Sequence, residues 1–355
     1  MTQQEITLLN LGQSLDDLAN LDPRGYGVCK ILYAASRPLA GKPLCVNAAE
    51  KLVDTLQEGD IVYILTGFVL RPYKKAETDG IISSMLLCRS LVKAFGAKPV
   101  IICPEENRQA VEKMSAVVGL HLREDLEELK NIPVSMGMIT FTKDAAAAPK
   151  QADEILAKLP PKAVISIEAP GCNEGGHYHN AIGLEVTELE AKMDVLFEKA
   201  QAMGILNIAI GDLGNEIGMG AIGDHLNEYI PYAAPGRCNC GCGGGIAVKT
   251  KADNLITATV SDWGCYAMIA AIAYMEENLD IMHTPELERR TLTCGCENGM
   301  IDMYGWLIPA IDGFGLEINM PIVQLMYEMV RSALGLKVTC KTWFEKVEEL
   351  KFFEK

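Results

Sequence analysis

The stretch LNIAIGDLGNEIGMG, residues 206–220, joins an apolar run to a loop of glycines and acids. The run at 206–210 has the length and composition of a strand that is buried on both faces, as in a parallel sheet. The glycines after it let backbone amides approach a ligand closely. This stretch therefore predicts an α/β fold with a binding loop at the carboxyl end of a strand.

The same order of strand, loop and helix recurs along the chain. The helix is clearest where Ile81, Met85, Cys88, Val92 and Phe95 repeat at helical spacing. Such alternation predicts a mainly parallel, doubly wound sheet with helices on both faces. We predict further strands at 61–65, 98–103, 163–167 and 255–260, and helices at 79–95, 107–118, 188–203 and 263–277.

The length of 355 residues suits one α/β domain over 1–355. A run of alanines at 145–148 and the prolines at 160 and 161 resemble hinges. The alternative is therefore a pair of lobes, 1–150 and 160–335, around an acidic cleft.

Acidic residues follow several of the predicted strands. If those strands are parallel neighbours, their acids converge at the edge where open sheets bind ligands. Clustered carboxylates require either raised pKa values or a bound cation, and oxygen ligands suit Mn²⁺, Mg²⁺ or Ca²⁺. For any one acid, helix capping is the better explanation, and Asp79 fits that role. For these acids together we predict a divalent-metal site, with Mn²⁺ or Mg²⁺ preferred over Ca²⁺. The expected ligands are Glu77, Asp79, Glu168, Asp212, Glu216 and Asp262.

Composition and motifs exclude several other classes of function. A net charge of −15 argues against nucleic acid and anionic membrane as partners. The loop at 211–220 lacks both the dinucleotide fingerprint and the P-loop ending, so NAD and ATP are not indicated. The sequence shows no signal peptide, and its longest apolar run, 266–275, is too short for a membrane span. We expect a cytoplasmic protein with reduced cysteines.

Two cysteine-rich segments stand apart from the acids. Cys238, Cys240 and Cys242 alternate with other residues, and Cys294 and Cys296 repeat that spacing. Together they could hold zinc or an iron–sulfur cluster. Structural zinc pairs usually have at least two residues between the cysteines, so we favour a structural loop lined by thiols.

Five segments in order resemble the D-glutamate cyclase C-terminal-domain family, and they cover most of the chain. The longest is Gly211–Gly220, and the others are Thr66-Gly-Phe, Glu77-Thr-Asp-Gly80, Ile167-Glu-Ala-Pro-Gly with Tyr178-His-Asn180, and Ser261-Asp-Trp-Gly-Cys-Tyr266. The resemblance implies an α/β lyase that converts D-glutamate to 5-oxo-D-proline and water. Relatives of the domain are also similar to metal-dependent phosphatases with a manganese-type acidic site.

Under the cyclase hypothesis the residues divide into three roles. Besides the metal ligands, we expect catalytic groups at Asp212, Glu216, His179 and Tyr178. Substrate contacts are expected from Asn180, Asn215, Gly214, Gly218, Ser261, Trp263, Lys74 and Lys75. The expected ligand is a small acidic or phosphorylated metabolite, and a homo-oligomer is a further expectation.

Three departures from the family pattern bear on this reading. Leu213 replaces a usual glycine, and Asp262 replaces a usual asparagine. We also expect a stand-alone form without the domain that precedes this one in the cyclase, so the activity transfers only if that domain is dispensable.

One alternative is a phosphatase, in which the same acids hold two ions and Lys74 and Lys75 bind the phosphate. Another is a small-molecule binding protein without chemistry.

Overall fold

The computed structural model describes residues 2–339 and 341–354. It contains eleven strands in this part of the chain: β1 Ile61–Thr66, β2 Val69–Leu70, β3 Lys75–Ala76, β4 Lys98–Cys103, β5 His121–Arg123, β6 Ser135–Thr140, β7 Ala163–Ile167, β8 Leu206–Gly211, β9 Asn254–Thr257, β10 Ala310–Ile311 and β11 Phe314–Gly315. The described α-helices are α1 Gln3–Ala19, α2 Val28–Ala40, α3 Leu44–Thr55, α4 Ile81–Phe95, α5 Arg108–Val117, α6 Leu126–Asn131, α7 Ala148–Lys158, α8 Met193–Ala202, α9 Gly223–Tyr229, α10 Ser261–Met275, α11 Pro285–Glu297, α12 Leu316–Thr339 and α13 Lys341–Glu349.

Seven strands form one all-parallel sheet in the order β5-β6-β4-β1-β7-β8-β9. The strands β2 and β3 pair in one antiparallel hairpin, and β10 and β11 pair in another. The predicted α/β class with a parallel, doubly wound sheet is confirmed. Residues 1–150 and 160–335, the two lobes of the alternative division, both contribute strands to this one sheet, since β1 pairs with β7. The domain division itself stays a prediction.

Alternating side chains of the strands explain the two helical layers. In β1, Val62 and Ile64 pack into one apolar cluster, and Tyr63 and Leu65 pack into the other. The first cluster joins the sheet to α1, α3, α4, α5, α10, α11 and α12. The second joins it to α2, α6, α7, α8 and α9.

Helix α10 lies inside the first layer, where every residue but Met275 is buried. It contacts α1, α3, α4, α12 and the sheet strand β8. A helix surrounded in this way must be apolar all round, and after Asp262 its sequence carries no charge. Across the described residues, no helix combines the length and apolar character needed to cross a bilayer.

Candidate active site

The sheet order brings the predicted acids to one edge. Strands β1, β7, β8 and β9 are successive neighbours and run in parallel, so their carboxyl ends meet. Glu168 follows β7 directly, and Asp212 follows β8. Asp79 lies between the β2–β3 hairpin and α4, and Asp262 lies in the first turn of α10.

A cavity of about 390 Å³ opens at this edge. Its acidic lining includes Glu77, Glu168, Asp212 and Glu216. Among the described residues that line it, Arg24 is the one cationic side chain. The charged side chains of the cavity lining are therefore mostly carboxylates.

Two groups of carboxylates converge there. One oxygen each from Glu168, Asp212 and Glu216 lie within 4.8 Å of one another, and the same holds for Asp79, Asp212 and Asp312. Asp212 belongs to both groups. Mn²⁺, Mg²⁺ and Ca²⁺ bind oxygen at about 2.0–2.6 Å, so three oxygens at this spacing can share one ion. The residues present thus fit hard divalent cations.

Electrostatics in the cavity favour either protons or a cation. Burial, as the largest cause, raises the pKa of several of these carboxyls, and mutual repulsion adds to it for Glu168 and Asp212. For Glu216 burial also raises the pKa, while backbone N–H groups oppose the shift. The carboxyls whose pKa lies well above its ordinary value are Glu77, Asp79, Glu168, Asp212 and Asp262.

The loop after β8 holds Glu216 through its own backbone. The N–H groups of Leu213 and Gly214 donate to the Glu216 carboxylate at 2.9 and 2.7 Å. Gly218 has φ +95°, and a Cβ there would overlap the Cβ of Ala209. The loop can adopt this conformation only with glycine at that position.

Asp79 and Asp262 cap each other's helix. The Asp79 carboxylate accepts from the N–H groups of Ser261 and Asp262 at 3.2 and 3.0 Å, at the start of α10. Asp262 Oδ1 accepts from Gly80 at 2.9 Å and from Ser83 at 3.0 Å, at the start of α4. Asp79 therefore caps a helix other than the one it precedes, while still belonging to a carboxylate group. Asp262 lies outside both groups.

Glu168 is held in a strained conformation. Its φ is +45°, which is unusual for a residue with a Cβ and is often found at functional sites. Ser261 Oγ donates to Glu168 Oε2 at 2.6 Å. A Cβ at Gly80 would come within 2.5 Å of the Glu168 Cβ, so that glycine leaves room for it.

The proposed acid–base residues His179 and Tyr178 lie outside the carboxylate groups. The Tyr178 hydroxyl donates to Asp194 at 2.5 Å, within a small apolar cluster. His179 Nε2 lies 3.1 Å from Cys240 Sγ and 3.4 Å from Cys242 Sγ. Neither side chain lines the acidic cavity.

The expected substrate-binding residues divide between the cavity and other places. Asn180 and Asn215 line the cavity. The Asn215 amide donates to the His179 carbonyl at 3.0 Å, and its buried Oδ1 has no hydrogen-bond partner among the described residues. Trp263 is buried in the core, where its Nε1 donates to Asn319 at 2.8 Å. Gly214 and Gly218 shape the loop after β8, Ser261 contacts Glu168, and Lys74 and Lys75 are exposed at the β2–β3 turn, away from the cavity lining.

Sequence reasoning missed Arg24 and Asp312. The Arg24 guanidinium pairs with Asp312 at 2.5 Å and lies over the Phe314 ring at 4.7 Å. Asp312 stands in the Asp-Gly turn between β10 and β11. An Asp-Gly pair signals only a hairpin, so the sequence held no sign of a place beside Asp79 and Asp212.

Comparison with known proteins agrees with the resemblance. The family model described as D-glutamate cyclase-like, C-terminal, matches residues 15–327. The chain belongs to this family. The human protein D-glutamate cyclase, mitochondrial, is 25% identical over 276 residues, which cover 73% of this chain and 38% of the human protein. The chain thus spans well under half of that relative, and the residues matched to the D-glutamate cyclase-like family include all five members of the two carboxylate groups.

Proposed function

We propose that this chain is a lyase that cyclises D-glutamate to 5-oxo-D-proline and water, assisted by Mn²⁺ or Mg²⁺. Family membership supports the reaction. The observation that carries the site is the position of Asp212, which lines the cavity and belongs to both carboxylate groups. Asp79, Glu216 and Asp312 would be its partners in holding the cation, and Glu168 would instead carry a proton.

The charges of the cavity suit a zwitterionic amino acid. D-glutamate brings one ammonium and two carboxylates, and the acidic lining attracts the ammonium. Arg24 is the candidate partner for a substrate carboxylate because a guanidinium has five N–H donors, and the pair with Asp312 leaves some of them available. Asn180 and Asn215 would orient the remaining polar atoms.

Cyclisation forms a bond between the amine nitrogen and the side-chain carboxyl carbon, and it breaks a C–O bond of that carboxyl. The ammonium loses two protons, and the departing oxygen gains two and leaves as water. Because both reacting groups belong to one molecule, holding the chain folded supplies much of the acceleration. A divalent cation, when bound, supplies a Lewis acid that polarises the carboxyl.

The carboxylates would exchange the protons. Asp212 is half-buried, whereas Glu168 and Glu216 are buried, and it is our choice to accept a proton from the ammonium nitrogen. Glu168 has a raised pKa and one oxygen already bonded to Ser261, so its other oxygen can hold the proton for the departing oxygen. Backbone N–H groups favour the ionised form of Glu216, which suits a ligand better than an acid.

The test is incubation with D-glutamate, with Mn²⁺ or Mg²⁺ and then with excess chelator, and chiral assay of 5-oxoproline. We expect the D product only when a divalent cation is present. L-glutamate serves as the substrate control. No product with cation bound in the cavity would remove the cyclase assignment.

A phosphomonoesterase is the second candidate, supported by the sharing of Asp212 between two carboxylate groups. Two ions held side by side would activate water and stabilise a leaving oxygen. It is the weaker candidate because the cavity lining holds a single arginine and includes neither Lys74 nor Lys75. Release of inorganic phosphate from p-nitrophenyl phosphate, without reaction of D-glutamate, would favour it.

A further inference from the structure

A second cluster of ligand atoms lies apart from the carboxylates. Cys238, Cys240 and Cys242 form a loop after α9, and His179 from the segment after β7 meets them. One ligand atom from each of the four lies within 4.8 Å of the others. His179 is distant in sequence from the three cysteines, and no function described above uses the cysteines.

The separations lie at or slightly below those around a single tetrahedral ion. The Cys238 sulfur lies 3.5 Å from the sulfurs of Cys240 and Cys242. His179 Nε2 lies 3.1 and 3.4 Å from Cys240 and Cys242. Tetrahedral zinc at about 2.3 Å from sulfur and about 2.0–2.1 Å from nitrogen separates its ligands by about 3.5–3.8 Å.

Without an ion, this arrangement would be unfavourable for the histidine. His179 is buried with 1% of its surface exposed, and its Nδ1 has no hydrogen-bond partner among the described residues. The Nε2 faces two sulfurs, which are weak hydrogen-bond partners. A buried imidazole with so few good hydrogen-bond partners therefore points to a bound ion, independently of the separations between the ligand atoms.

The surrounding backbone is shaped to hold thiolates. The N–H of Gly244 points to the Cys242 sulfur at 3.3 Å, and the Asn173 amide lies 3.8 Å from the same sulfur. Donors of this kind stabilise metal-bound thiolates. A Cβ at Gly244 would overlap the Asn173 amide, so the close approach requires glycine.

We propose that Cys238, Cys240, Cys242 and His179 bind one structural zinc ion. Three thiolates and an imidazole are a typical closed zinc set, whereas iron–sulfur clusters usually take four cysteines. The one-residue spacing that argued against zinc in the sequence is accommodated because the loop turns through Gly241 and Gly243, both with positive φ. The fourth ligand comes from a distant segment.

The zinc loop would also position one wall of the acidic cavity. The backbone N–H of Asn239 donates to Gly183 at 2.7 Å, and its side-chain amide donates to the Ile182 carbonyl at 2.7 Å. Ile182 and Asn180 line the cavity, and the His179 carbonyl accepts from Asn215. Loss of zinc should therefore weaken substrate binding without removing any carboxylate.

The experiment measures zinc, iron and manganese in the purified 355-residue chain by elemental analysis. We expect one zinc per chain, its loss in Cys240→Ser and His179→Ala, and its retention in Cys294→Ser, a half-buried cysteine outside the cluster. Asp212→Asn should keep its zinc, which separates this site from the proposed catalytic one.

Reconstitution of the wild-type chain with Co²⁺ guards against misfolding of the variants. We expect thiolate-to-cobalt charge transfer and the visible bands of tetrahedral cobalt. Three results would overturn the proposal: wild-type protein that binds neither zinc nor cobalt, iron in place of zinc, or a stable disulfide among Cys238, Cys240 and Cys242 in freshly purified protein.

Discussion

The carboxylate groups and the thiol cluster are built in different ways. The carboxylates come from the loops after β7 and β8, from the segment before α4 and from the β10–β11 turn, so their convergence depends on the whole sheet. The thiols come from residues 238–242, and a single distant residue, His179, completes the set. Hard oxygen ligands open on a cavity, while soft ligands close around a small volume. The comparison leads us to propose that the chain separates a reactive cation site from a structural one.

The substitution Asp212→Asn should have the largest effect on the carboxylate site while leaving the thiol cluster intact. It removes the carboxylate common to both groups, and we expect turnover of D-glutamate to fall by at least about 100-fold, the usual scale for loss of acid–base catalysis. Manganese binding should be lost and zinc kept. Thermal stability should not fall, because one buried charge is removed from a repulsive cluster. Asp153→Asn, on an exposed face of α7, is the matched control; full manganese binding by the Asp212 variant would contradict the assignment.

Gly218→Ala tests whether the carboxylate site depends on the loop after β8. The new methyl would overlap Ala209, so we expect a loss of about 1–3 kcal/mol in the free energy of unfolding beyond the cost of a positive φ. Gly204 also has a positive φ, but a Cβ there would meet no atom within 4 Å. Gly204→Ala should therefore lower the free energy of unfolding by only about 1 kcal/mol. Urea unfolding measures both. Equal losses would show that crowding at Gly218 is unimportant.

The pH dependence of stability gives the smallest of the three effects. The carboxyls of Glu77, Asp79, Glu168 and Asp212 have raised pKa values in the fold, so folding binds protons there. Their stabilising contribution is present below the ordinary carboxyl pKa and is lost as the pH rises through the raised values. As the pH rises above the ordinary carboxyl range, the melting temperature of manganese-free, zinc-loaded protein should therefore fall, and Mn²⁺ should restore it most at the highest pH tested.

The Asp212→Asn variant provides the control for that pH series. With one repulsive carboxyl removed, its melting temperature should depend less on pH, and added Mn²⁺ should have little effect. A melting temperature that rises with pH in the manganese-free wild type would contradict the charge argument.

The parts of the site that follow from local sequence were predictable. Glu168 and Asp212 follow apolar runs that form β7 and β8. Because neighbouring parallel strands end at one edge of the sheet, the sequence predicted that these acids lie close together. Contacts between segments distant in sequence could not be predicted in this way. Asp79 caps α10, not α4, and Asp312 comes from a turn with no sign of a site. The sequence also could not show that His179 lies beside Cys240.

The most direct test of the account is turnover of D-glutamate by the 355-residue chain after manganese and magnesium, but not zinc, have been removed with a weak chelator. We predict no 5-oxo-D-proline until Mn²⁺ or Mg²⁺ is returned, and then formation of the product with the zinc content unchanged. Full activity with zinc alone would show that the carboxylate groups need no divalent cation of their own, and it would contradict the separation of the two sites.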